Sequence, residues 1–282
     1  AFSEFINEKI KLDNVTIDAG LRVEVFEQER IDRLAGSVYQ DKSMIVMLPG
    51  IGFSSNILGL NFFGGLHRGF TPPSSGALKV LNFGAAANDN GLDLKSEQSW
   101  NKELGIRGSI SLLDFEVSGF HIGIENLVAA GRGTVFNNLG KVSTMGVELN
   151  TALNTSAIQK FIPNIHLVYS FLHSDVVEGE IKSNVRGTIG SIISISGKEL
   201  PYAPAHTLTA GISNQTKFFS YRVDYRFVSE VYTDFENIVK EDKLGIQGKI
   251  PSYSFINLSA DYRINSKYRI FLSGKNVQDK IY

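Results

Sequence analysis

The feature that most restricts this chain is a two-residue alternation of apolar and polar side chains sustained over unusually long runs. Between residues 15 and 26, Val15, Ile17, Ala19, Leu21, Val23 and Val25 alternate with Thr16, Asp18, Gly20, Arg22, Glu24 and Phe26. Successive side chains of an extended strand point to opposite faces, so this period gives one apolar and one polar face. The pattern returns at 219–231, where Phe219, Tyr221, Val223, Tyr225, Phe227 and Val231 oppose Ser220, Arg222, Asp224, Arg226 and Glu230. It returns again at 254–264, with Ile256, Leu258, Ala260, Tyr262 and Ile264 against Asn257, Ser259, Asp261 and Arg263. None of these segments shows the 3.6-residue period of a helix. Strands of soluble domains run about 5–6 residues, whereas these continue for about 11–13, enough to cross a bilayer. The fold class read from this is all-β, an antiparallel transmembrane β-barrel with lipid outside and water inside, closed so that every backbone polar group finds a neighbouring strand.

The connections agree. Strands are expected at 1–11, 15–27, 43–53, 58–70, 97–109, 112–127, 143–154, 164–175, 205–214, 218–231, 253–264 and 267–277. Short turns join them at Asp13-Asn14, Ser54-Ser55-Asn56, Ser109-Ile110-Ser111, Gln215-Thr216-Lys217 and Asn265-Ser266, with 155–163 as a longer member of the same set. Long connections fall at 28–42, 71–96, 128–142, 176–204 and 232–252. Short and long connections take turns, as they do between the two sides of an outer-membrane barrel.

Composition removes several function classes. The chain of 282 residues carries 28 Lys+Arg against 29 Asp+Glu, a net charge of −1, which speaks against an electrostatic nucleic-acid binder. With no Cys there is no disulfide framework, no Cys-ligated metal and no thiol nucleophile. The five His residues (His67, His121, His166, His173, His206) lack zinc-site spacing, and no nucleophile elbow, P-loop or dinucleotide fingerprint is present. Glu103, Glu148, Asp224 and Asp261 fall at lumen-facing positions and read as charge ladders against Arg107, Arg222, Arg226 and Arg263. Trp100 and Tyr169 fall on the apolar face and read as interfacial anchors. The expectation is a non-enzyme with no catalytic residue, metal or cofactor.

Five motifs then carry a resemblance. Residues 62–73, Phe-Phe-Gly-Gly-Leu-His-Arg-Gly-Phe-Thr-Pro-Pro, are similar to the strand-to-loop signature of TonB-dependent outer-membrane receptors, in the form of the ferric-dicitrate subfamily. Residues 94–105 resemble the family's Leu-Lys-Pro-Glu-x-Ser-x-x-x-Glu-x-Gly segment, with Ser96 in place of Pro. Residues 138–149 resemble Asn-x-Gly-x-x-x-x-x-Gly-Val-Glu-Leu, residues 200–206 the return into the barrel, and residues 273–282 the Asn-Leu-Phe-Asp-x-x-Tyr element, with Val277 and Gln278 as departures. They occur in the family's order.

The resemblance implies a 22-stranded barrel around an N-terminal plug that contacts TonB. Residues 1–282 are then expected to be about twelve of those strands, a partial barrel domain without the plug, and to begin as a mature or excised piece because Ala1 is not Met. It further implies capture of a ferric chelate, ferric citrate or another siderophore, at the bacterial cell surface, with outer-membrane lipid and the TonB complex as partners. Carboxylate-rich iron complexes are recognised bidentately by Arg. By position, Arg68, Arg132 and Arg186, with His67 as a helper, are the candidate ligand contacts. The alternatives are another cargo of the same family (cobalamin or a glycan), a passive porin, and a soluble β-rich binding module. The last of these fits poorly with the strand length and the apolar outer face.

Overall fold

The computed structural model describes residues 2–32, 37–72, 95–130, 136–183, 185, 188–242 and 247–281. Twelve long strands follow one another as an antiparallel meander. They are β1 (Phe2–Leu12), β2 (Val15–Asp32), β3 (Ser37–Ile57), β4 (Leu60–Thr71), β5 (Glu97–Ile110) and β6 (Leu113–Glu125). Then come β7 (Gly140–Leu153), β8 (Asn164–Lys182), β9 (His206–Gln215), β10 (Phe219–Val228), β11 (Tyr253–Arg263) and β12 (Arg269–Gly274). Each pairs with its neighbours in sequence, and among the described residues β1 and β12 are the two outer edges. Short pairs decorate the long connections: Val128–Ala130 with Phe136–Asn138, Val231–Tyr232 with Lys249–Ile250, and Ile192–Ser194 against β8.

The register carries the alternation from strand to strand. One row runs Ile110, Leu113, Leu153, Ile165, Ile212, Val223 and Leu258 across seven strands, all apolar. The adjacent row, on the other face, runs Asp114, Ala152, His166, Gly211, Asp224 and Asn257. A slip of one residue in any strand would put its charges among these aliphatic side chains, so the register is strongly specified.

Among the described residues nothing covers the apolar face. Ile6 is 72% exposed, Leu104 65% and Ile270 57%. The accessible surface is 18568 Å², against roughly 12,000 Å² expected for a compact globular chain of 31.1 kDa. A hydrophobic face this exposed needs an apolar partner or an apolar solvent.

Turns at one end are tight. Asp13 (φ 42°), Leu58 (53°), Gly59 (83°) and Ser111 (55°) take the left-handed backbone that reverses a hairpin. The expected turn at Ser54-Ser55-Asn56 lies elsewhere: the β3–β4 ladder continues to Ile57↔Leu60 and the tip is Leu58-Gly59. Ser54 and Asn56 read as turn residues because they are small and polar, yet both sit on the polar face, where Asn61 Nδ2 donates to Ser54 Oγ (2.8 Å) and Asn56 Oδ1 (3.1 Å). At the opposite end β2, β3 and β8 run well past their expected limits, so much of 28–42 and 176–182 is strand rather than loop.

Among the described residues a small true core sits at this long-loop end. Leu139, Val142, Val176 and Ile195 are at most 4% exposed, with Ile124, Leu127, Ile181, Leu200 and Phe235 packed around them. Val142, Val176 and Ile124 lie on the polar face, so the upper strands carry apolar residues on the side where lower positions carry polar ones. In β6 the change is visible within one strand. Leu113, Phe115 and Val117 share the apolar face, whereas higher up Phe120, Ile122 and Ile124 lie on the opposite face and His121 and Glu125 take their place.

Candidate functional site

Polar side chains of the expected lumen face are joined across strands. His166 on β8 reaches past β9 to Asp224 on β10, with Nε2 and Oδ1 2.6 Å apart. The residue between them is Gly211, and a Cβ there would lie 2.6 Å from the imidazole and 2.4 Å from the Val223 carbonyl oxygen. Glycine is required here for clearance, not for backbone freedom. Arg222 Nε donates to both oxygens of Asp224 (2.8 and 3.1 Å), which closes a three-residue cluster. The expected ladder partners Arg222 and Asp224 thus meet. Asp261, by contrast, is bound by Arg269 of β12 instead of Arg263. Arg107 donates from Nε to Asn61 Oδ1 (3.2 Å) and lies 3.8 Å from Glu116. Among the described residues Arg226, Glu103 and Glu148 have no ion-pair partner. Arg226, read from the sequence as a member of a charge ladder, is thus an exposed, uncompensated cation near the long-loop end of β10.

On β2–β4 the same face is nearly bare. Gly20 pairs with Gly50 and Gly52 with Gly65, and His67 pairs with Gly50 at the edge of this patch. The concavity here measures about 840 Å³, and its polar lining includes Asn7, Asp18, Arg22 and His67.

The candidate ligand residues separate. His67 is exposed on the expected lumen face. Arg68, its neighbour, necessarily lies on the opposite face, where its guanidinium carbon is 5.8 Å from the Trp100 ring centroid and Nη2 donates to Gln98 Oε1. The two side chains thus project to different faces, although both residues border the 840 Å³ concavity. Arg132 and Arg186 lie outside the described residues. Trp100 and Tyr169 are on the apolar face; the Tyr169 hydroxyl is 2.8 Å from His206 Nδ1, and both Tyr169 and Phe171 pack on the His206 ring.

The long connections are fastened to the strand tops by side-chain amides. Asn138 accepts from Lys95 N (2.8 Å) and donates to Lys95 O (2.9 Å) and Asn126 O (2.8 Å), while Glu97 Oε1 accepts from Val128 N (2.7 Å). These contacts join the 94–105 and 138–149 segments, so two motifs that are distant in sequence form one clamp. Asn237 treats Glu199 in the same way, accepting from its N (2.7 Å) and donating to its O (2.9 Å), just before the 200–206 segment. In the last motif Asn276 N donates to Asn257 Oδ1 (3.0 Å). Within the pair Val231–Tyr232 and Lys249–Ile250, Lys249 Nζ lies 2.5 Å from Glu230 Oε1, and this hydrogen bond raises the Lys249 pKa above its ordinary value. Among the described residues no three His, Asp or Glu side chains converge as metal ligands would.

Comparison with known proteins agrees with this architecture. The family model for the TonB dependent receptor-like β-barrel matches residues 1–277. The ferric citrate transporter FecA in its unliganded form superposes with TM-score 0.79 at 19% identity, over 99% of this chain and 40% of that one. The siderophore receptor PiuA from Acinetobacter baumannii gives 0.74 at 17% identity, over 99% and 39%. The copper transporter OprC gives 0.74 at 13% identity, over 99% and 41%. The chain therefore spans about two-fifths of the length of these structures.

Proposed function

Because this chain belongs to the TonB-dependent receptor β-barrel family, we propose that it is part of an outer-membrane receptor that takes up a ferric chelate, ferric citrate or another siderophore, from the cell surface. The observation that carries this reading is the family match over 1–277, with siderophore receptors among the structures that share the whole sheet. The resemblance of residues 62–73 to the ferric-dicitrate signature narrows the cargo. In this reading the apolar face meets lipid, the polar face lines the lumen, and the long-loop end is extracellular. Uptake is driven by TonB through a plug domain inside the complete receptor.

An anionic iron chelate is drawn by positive charge that is not already neutralised. Arg22, Arg222 and Arg269 are each tied to a carboxylate within the sheet, so they contribute little net field. The capture site is assigned to Arg226 at the upper lumen, to His67 beside the bare patch, and to Arg132 and Arg186 in the connections after β6 and β8. Guanidinium groups suit citrate because each grips one carboxylate with two parallel hydrogen bonds.

Copper transport by one structural neighbour gives a second reading, of a different cargo on the same wall. Titration of the full-length receptor with ferric citrate, ferric catecholate, copper and cyanocobalamin, followed by Trp fluorescence, separates them. The proposal expects a ferric chelate to bind in the nanomolar to micromolar range typical of specific ligands. Saturable binding of only copper or only cobalamin overturns the iron reading and leaves the family assignment intact.

A further inference from the structure

On the apolar face of β4–β7 the side chains change character along two successive rows. Leu66, Lys102, His121 and Met145 form one row, and Arg68, Trp100, Gly123 and Ser143 form the next towards the long-loop end. Below them the same face offers Phe62, Ile106, Val117 and Leu149 in one row. Two permanent cations and an imidazole therefore stand at the upper border of a surface otherwise built for lipid tails. Lys102 and His121 are directly opposite, and Arg68 is diagonal to Lys102, spacings of about 5 and 7–8 Å between such positions in a sheet.

Among the described residues neither Arg68 nor Lys102 has a carboxylate within ion-pair distance. Arg68 Nε and His121 Nδ1 are buried without any hydrogen-bond partner, while His121 Nε2 is engaged with Ser143 Oγ at 3.0 Å. A cleft of about 330 Å³ opens where Gly123 leaves a notch between Trp100 and Ser143, and Arg68, His121 and Lys141 also line it. Glu125 contributes the one carboxylate of this lining. An uncompensated cation at a lipid boundary is costly unless an anion stands beside it.

We propose that this cleft binds the phosphate of an outer-leaflet lipid headgroup, with Arg68 as the charge partner in its lining, Lys102 as a second cation outside the lining and diagonal to Arg68, Trp100 as the flanking platform, and the acyl chains lying over Leu66, Leu104 and Val147. The site lies on the opposite face from the chelate-binding residues, and it rests on the outer-membrane reading given above. A lipid fits better than a free anion because the apolar rows continue from the cationic ones without a break. A phosphate on top of acyl chains matches both halves of the surface.

The test uses the full-length receptor in detergent, native mass spectrometry, and bisphosphorylated lipid A as probe. Wild type is expected to retain lipid A with roughly 10- to 30-fold higher affinity than the double variant Arg68→Gln/Lys102→Gln, in line with the loss of two cations near an anionic headgroup. Arg68→Lys, which keeps the charge, retains most of the binding, so a misfolded double variant does not leave the question open. Lys11→Gln, on the other face and at the other end of the sheet, binds as wild type does. Fully dephosphorylated lipid A loses the advantage, and millimolar inorganic phosphate does not displace the lipid. Equal retention by the double variant, equal retention of dephosphorylated lipid A, or displacement by free phosphate overturns the proposal. A spin label at Val223 separates this failure from failure of its premise: a water-exposed label removes the membrane reading itself, whereas a lipid-exposed label with unchanged lipid A binding removes only this site.

Discussion

The wall of the sheet and the cap at its long-loop end are made of the same strands, yet they obey opposite packing rules. In the wall, Leu153, Ile165, Ile212 and Val223 lie on the open face with nothing above them, and the opposite face carries His166, Arg222 and Asp224. In the cap, Val142 and Val176 lie on that second face and are almost fully buried beneath Ile195 and Leu139. The alternation keeps its phase through β6 and β7, and through β8 as far as Val176, where a bulge shifts the register, while the chemistry exchanges sides. The exchange follows from a change of solvent along the strand. Where one side is lipid, apolar groups belong there; where both sides are water, they must turn inward and be covered by loops.

The comparison is broken most forcefully in the cap. Val142→Asp buries an unpaired charge in a dry cluster and is expected to cost about 3–5 kcal/mol. The loss appears in detergent and in lipid alike, as premature unfolding of the loop region in hydrogen exchange. In the wall, Val223→Arg is expected to cost roughly 2–4 kcal/mol in lipid, the penalty for a cation at the midplane of a barrel. Equal cost for Val223→Arg in a water-filled setting would show that the wall is packed like the cap. Spin labels sharpen the same point: one at 223 should respond to oxygen and one at 222 to water-soluble quenchers. If 222 is the lipid-exposed position, the register of β10 is wrong and its lumen assignments fall.

Between the faces, Gly211→Ala forces a Cβ into the His166 ring and the Val223 carbonyl oxygen. A cost of about 1–3 kcal/mol is expected for overpacking of this kind, and the imidazole is pushed out of hydrogen-bond reach of Asp224. His166→Gln should forfeit the bond but not suffer the crowding, so equal destabilisation of the two variants in urea titration would show that clearance is not the reason for glycine. The smallest effect belongs to the exposed ion pair of the cap. Lys249→Met is expected to change stability by only about 0–1 kcal/mol. The hydrogen bond from Lys249 to Glu230 raises the lysine pKa, so its contribution is present at neutral pH and disappears as pH climbs through that raised value.

How far these features were legible depends on which rule governs each residue. Strand existence, order and face were readable because the wall repeats one rule over many residues, from Val15 to Val25 and from Phe219 to Phe227. The Leu58-Gly59 tip was missed because Ser54 and Asn56 resemble turn residues while serving the polar face. The upper halves of β2, β3 and β8 resemble loops when lipid is taken to cover one side throughout, and that condition ends where Phe120, Ile122 and Ile124 change sides. The face of Arg68 was readable by parity with Phe62 and Leu66, but a positive charge beside a loop signature drew attention to ligand chemistry first. The clamps at Asn138 and Asn237 left no periodic signal, because each is a single side chain acting on a backbone far away in sequence.

Those clamps affect how the receptor can vary. Asn138 offers Lys95 both a donor and an acceptor, doing with a side chain what a neighbouring strand does with its backbone. The start of β5 is therefore held at Lys95 by one amide. Lengthening a loop whose ends are already held adds little entropy cost, about 0.6 kcal/mol for each doubling. Insertions and deletions can therefore accumulate between the anchors without disturbing the wall. The liability is atomic: exchange of the Asn138 NH₂ for an oxygen, as in deamidation or Asn138→Asp, sets a carboxylate against the carbonyls of Lys95 and Asn126 and replaces two attractions with two repulsions. Both carbonyl contacts at the foot of this connection thus pass through one nitrogen atom.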